Sequence, residues 1–121
     1  MPRDYQHREK AELNEKFAHG LDLTDPTSES WAVVAAFYSA LHYVESYLAT
    51  RNLHPETHKE RFEVIKRDGR LKAAYPDYKF LYSLSLTARY RCTGLQPNPF
   101  AQAQPHLEKV KIEVEHLLAS P

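Results

Sequence analysis

Between Trp31 and Tyr90 the chain carries two runs, W-A-V-V-A-A-F-Y-S-A-L-H-Y-V-E-S-Y-L and L-Y-S-L-S-L-T-A-R-Y, that are apolar around much of a helical circumference. A helix of that kind must bury more than one side, so it belongs at the centre of a helical assembly and not on its surface. No segment alternates with the two-residue period of a strand, and β-branched runs are absent. The expectation is an all-α fold, a four-helix up-and-down bundle with one additional short or peripheral helix, as a single domain over residues 1–121. A chain of 121 residues buries about two thirds of its unfolded surface and needs neither metal nor disulfide to do so.

Glycine and proline mark the breaks. Gly20, Gly69 and Gly94 fall where the apolar pattern stops, and prolines sit where helices begin. The first helix is expected from Asp4 to His19, as a peripheral helix with a narrow stripe of Ala11, Leu13 and Phe17, then Leu21. The second runs from Pro26 or Ser30 to Arg51, with Asp25 or Ser28 as its cap. Its main stripe is Val34, Phe37, Leu41, Val44 and Leu48. A second stripe of Ala35, Ser39, His42, Ser46 and Ala49 is small or polar, suited to close approach by another helix or to a groove. The third helix spans about Pro55 to Asp68 with Gly69 as its stop, and the fourth runs from Pro76 to about Arg91. The fifth starts near Pro105 and ends near Ala119, with Leu107, Val110, Val114 and Leu117 inward.

Charge narrows the function. Sixteen Lys and Arg balance sixteen Asp and Glu, which argues against a diffusely basic nucleic-acid binder but leaves room for a local basic cluster. One cysteine, Cys92, excludes an intramolecular disulfide and fits a reducing compartment. The N-terminal residues have no signal-like apolar core, and no run is long enough to span a membrane, so a cytoplasmic protein with no membrane partner is expected.

The chemistry-bearing residues are few. His58 and Arg61 share a face in the first turn of the third helix, where free N–H groups favour anions. They suit either a phosphate site or a salt bridge to Glu45 or Glu63. Arg89, Tyr90 and Arg91 close the fourth helix, either as cations favoured by its dipole or as guanidinium groups aimed at phosphate with Tyr90 stacking on a base. His42 lies mid-helix, with Tyr38 or Ser46 as a hydrogen-bond partner, or acts as a general base or nucleotide contact. His54 and His58 have a metal-compatible spacing, but Pro55 intervenes and H-P-E-T-H is not H-E-x-x-H. No metal or cofactor is assigned. Walker loops, G-x-S-x-G and a cysteine-nucleophile signature are missing.

Three motifs in order, F-Y-S-A-L-H (Phe37 to His42), H-K-E-R (His58 to Arg61) and L-Y-S-L-S-L-T-A-R-Y (Leu81 to Tyr90), resemble the HEPN superfamily of helical bundles (higher eukaryotes and prokaryotes nucleotide-binding). The resemblance implies a cytosolic, often dimeric protein. Many members are metal-independent ribonucleases of toxin–antitoxin or defence systems, and others bind nucleotides, RNA or protein partners without catalysis. The nuclease members share an R-x4–6-H motif near the start of the last bundle helix. Here Arg89 and Arg91 are followed by no histidine at that distance, and the one matching string, Arg51 to His58, lies in a different loop and contains Pro55. The resulting expectation is a non-catalytic homodimeric module that binds RNA, nucleotide, or a cognate antitoxin or nucleotidyltransferase-type protein. Its site would use His42, His58, Arg61, Arg89, Tyr90 and Arg91. The alternative is a divergent metal-independent endoribonuclease using His42, Arg51 and His58.

Overall fold

The computed structural model describes residues 2–91 and 95–119. They form five helices, α1 (Asp4–His19), α2 (Pro26–Thr50), α3 (His58–Arg67), α4 (Tyr75–Tyr90) and α5 (Pro99–Ala119), with a 3-10 turn at Lys72–Ala74 and no strand. None of these helices is long and apolar enough to cross a membrane.

The 25 residues of α2 reach about 37 Å and form the axis on which α1, α4 and α5 pack. Its buried residues fall on nearly every side: Ala32, Val34, Ala35, Phe37, Ser39, Leu41, Val44 and Ser46, which together go most of the way round the helix, are all buried. Asp25 begins the helix, accepting hydrogen bonds from the backbone N–H and hydroxyl of Ser28, with Pro26 in the first turn. The other end closes without glycine. Asn52 takes the left-handed conformation (φ 56°), its N–H donates to the Ala49 carbonyl, and the Leu53 N–H donates to the Leu48 carbonyl.

Helix α1 buries a narrow stripe, as its few apolar residues suggest, but the stripe is not made of the large ones. The helix lies along α2 because both surfaces are small there. Ala11 and Ala18 are buried, and the buried Ser39 hydroxyl donates to the Ala11 carbonyl at 2.8 Å. Leu13 and Phe17, expected inside, are more than half exposed on the outer side. The physical reason is that a close helix–helix approach selects small residues at the contact and leaves large ones no space.

The other departures also have local causes. Helix α3 starts at His58, not Pro55, because Thr57 is its cap and accepts from the Glu60 N–H. It stops at Arg67, before Gly69. Asp68 turns extended, and its carboxylate accepts from the backbone N–H groups of Arg70 and Leu71. Helix α5 begins at Pro99, six residues before the expected Pro105, which lies within it. Pro105 deletes one main-chain hydrogen bond, but Phe100 and Ala103 are buried by the added turns, and that burial offsets the loss. Gly94 and Cys92 lie outside the described residues.

Candidate functional site

Positions 31, 34, 38, 42 and 45 of α2 recur at intervals of three and four, so Trp31, Val34, Tyr38, His42 and Glu45 line one side of that helix. Two polar features border this line, an inner network and an outer surface.

The inner network centres on Arg61. Only 7% exposed, it reaches from α3 to the buried Glu45 of α2 with Nε donating at 2.6 Å. Its Nη2 donates to the Pro55 carbonyl at 3.4 Å, and its Nη1 lies 3.2 Å from His58 Nδ1. A guanidinium can only donate, so His58 Nδ1 accepts and the ring proton resides on Nε2. Burial, then the charges of Arg61 and Arg89, hold the His58 pKa below its ordinary value, in keeping with a neutral ring. Tyr78 is fully buried close to Arg61 but outside hydrogen-bond geometry, and burial pushes its phenol pKa up.

On the α1 side of Arg61 a cleft of about 320 Å³ is bordered by His7, His42, His54 and Glu45. His7 and His42 stack with ring centroids 5.4 Å apart and Nδ1 atoms 3.1 Å apart. One ring donates and the other accepts, so the accepting ring is neutral when the bond forms. Burial first, then the nearby His7, Lys10 and Arg61 charges, lower the His42 pKa to about 4. Burial likewise lowers that of His7.

The outer surface is different. At the start of α2 and the end of α4, a groove of about 400 Å³ is lined by Trp31, Val34, Ala88, Arg89 and Tyr90, among others. Trp31 is 56% and Tyr90 73% exposed. Arg89 donates to the Tyr38 hydroxyl at 3.3 Å and lies 5.0 Å from the Tyr90 ring centroid, a cation–π distance. No carboxylate lies within 4 Å of it among the described residues. Its guanidinium is therefore held in place by neutral groups with its charge uncompensated.

The structure brings His58, Arg61 and Arg89 into one electrostatic neighbourhood, with Phe37, Tyr38 and Tyr82 packed between them. It places His42 on the far side of Arg61, in the histidine cleft. Its hydrogen-bond partner is His7, where Tyr38 or Ser46 was expected; Ser46 donates to the Tyr43 carbonyl of its own helix. Tyr90 and Arg91 are exposed at the end of α4. Arg51 stands apart: nine residues beyond His42, it falls on the opposite side of α2 and donates to the Tyr47 hydroxyl. His54 precedes the helix that His58 begins, so the two share no helical turn. No group of three or more His, Cys, Asp or Glu among the described residues is arranged to hold a metal.

Two contributors carried no local signal. His7 sits on a polar helix remote in sequence from His42. Trp31 reads as the first apolar residue of a core helix, yet it stands at that helix's exposed end. Comparison of the chain with family models, curated proteins and solved structures finds no match.

Proposed function

We propose that this chain is a HEPN-like helical-bundle module that binds RNA or a nucleotide through the Trp31–Arg89–Tyr90 groove, without catalysing a reaction. The observation that carries this reading is a guanidinium with no carboxylate partner among the described residues, lining one groove with two exposed aromatic side chains. Trp31 and Tyr90 offer faces for stacking a base, and Arg89 offers paired N–H donors for a phosphate. Tyr38 fixes Arg89 beforehand, which lowers the ordering cost of binding.

The ribonuclease alternative fits the arrangement less well. Arg51 falls on the opposite side of α2 from His42, and Arg61 is already neutralised by Glu45, so of the arginines that could stabilise a pentacovalent phosphate only Arg89 keeps an open charge, and it acts on His58 and not in the His42 cleft.

Trp31 is the single tryptophan of the chain, so its fluorescence reports the groove directly. Titration with a short single-stranded RNA and with a mononucleotide should quench it saturably. Arg89→Ala should weaken binding about tenfold, equivalent to roughly 1.4 kcal/mol, while circular dichroism stays unchanged. Absence of quenching by either ligand in the folded protein, or equal affinity in Arg89→Ala, would overturn the reading.

A further inference from the structure

We infer that a second groove, between α3 and α4, is a phosphate track continuous with the Trp31–Tyr90 groove, so that the preferred ligand is a single strand of several nucleotides and not a mononucleotide. This rests on the nucleotide-binding reading and specifies its ligand.

The groove has a volume of about 530 Å³, and its walls carry Lys59, Lys66, Lys79, His58, Tyr82 and Ser83. All three lysines are exposed, and none has a carboxylate within 4 Å among the described residues. Glu63, the one carboxylate on the groove wall, lies 3.8 Å from Arg67. Lys59 and Lys66 are seven residues apart and share a face of α3; Lys79 stands on the α4 wall. The chain is neutral as a whole, so this concentration of uncompensated charge is local. His58 adds a neutral N–H donor, because its Nδ1 is occupied by Arg61.

Continuity comes from α4. Lys79, Ser83, Leu86 and Tyr90 recur at four, three and four residues, a single line along the helix that leads from one groove to the other. The ten-residue step from Lys79 to Arg89 rises about 15 Å. At a stacked spacing of about 3.4 Å per nucleotide, that length matches roughly four nucleotides. Ammonium groups that follow a backbone, ending at aromatic faces that accept a base, are the components of sequence-tolerant single-strand binding. An acidic peptide would be drawn to the same lysines but would gain nothing from Trp31 and Tyr90.

The test measures Trp31 quenching by a homopolymer RNA series from mononucleotide to octanucleotide, at low and moderate salt, in the wild type and in Lys66→Glu/Lys79→Glu. Affinity should rise at least tenfold from mononucleotide to tetranucleotide and then level off, with deoxy strands behaving alike. The double variant should lose that rise, and its slope of log affinity against log salt should shrink by about 1.4, at about 0.7 per phosphate contact. Its mononucleotide affinity should stay at the wild-type value. Length-independent affinity that still depends on Arg89 would overturn the track and leave the Trp31 site standing. A double variant that keeps the length and salt dependence would overturn it too, as would tighter binding of duplex or of a polyglutamate peptide. Failure of every nucleic acid to bind would remove the Trp31 site as well.

Discussion

Arg61 and Arg89 are the same side chain in opposite circumstances. Arg61 is buried, with its charge neutralised by Glu45 and its remaining donors turned to His58 and the Pro55 carbonyl. Arg89 is half-buried and held by a phenol and aromatic faces, with no carboxylate within 4 Å of it among the described residues. The charges of both bear on His58. The contrast shows that proximity to a cluster of cations does not make each of them a ligand contact. A guanidinium whose charge is cancelled inside the protein serves the fold, and one whose charge is left open is available to a ligand.

The sharpest way to break this division is at its inner half. Glu45→Ala leaves Arg61 buried without a counter-charge and should cost about 3–5 kcal/mol in urea unfolding. The double replacement Glu45→Met/Arg61→Met should cost much less, since two desolvated charges disappear together. A loss below about 1 kcal/mol for Glu45→Ala would mean that water reaches the pair and that Arg61 belongs with the outer cations.

Next comes pH. The His42 pKa lies near 4 in the folded protein against an ordinary 6.5, so between those values the unfolded chain binds more protons. Stability should therefore rise with pH from about 4 to 6.5 and flatten above. His7 and Lys10 of α1, Glu45 of α2, His54 and Arg61 all face this cleft, so the slope reports the whole cleft. His42→Asn should make the slope shallower and leave the part that the half-buried His7 contributes, which urea midpoints at pH 5 and pH 7 would reveal.

A smaller effect is expected where α3 begins. Thr57→Ala removes the cap that starts the helix at His58 and should cost about 1 kcal/mol in thermal unfolding. Smallest of all are the outer lysines. Lys66→Ala and Lys79→Ala should each change stability by no more than about 0.5 kcal/mol, because neither ammonium has a carboxylate partner among the described residues and Lys66 only lies over the Tyr75 ring at 5.6 Å. A larger loss in either variant would move that lysine to the structural side of the comparison.

The helical class was legible because its signals are local. The apolar circumference of α2, the Asp25 cap and the 3–4 spacing of Leu107, Val110, Val114 and Leu117 in α5 all appear within a few turns of chain. Boundaries were legible only where the stop is also local. Gly69 is an ordinary stop signal, yet Asp68 ends α3 one residue earlier through its own side chain. Pro105 reads as a helix start, and only the burial of Phe100 and Ala103 explains why α5 runs through it. For the candidate site, the sequence singled out Arg89, Tyr90, His58 and Arg61 as polar groups at helix ends. It offered Glu45 and Glu63 as partners for Arg61 without deciding between them, and it passed over Trp31 and His7.

Hydrophobic periodicity and capping chemistry act over a single helical turn, so the order of residues alone was enough to specify helices and to place the most apolar of them at the centre. Which charges cancel and which remain open depends on side chains from different helices meeting across distances that sequence spacing does not encode. Only the packing of α3 and α4 beside α2 decided that Arg61 would be neutralised by Glu45 while Arg89 and the lysines of the neighbouring groove kept their charge.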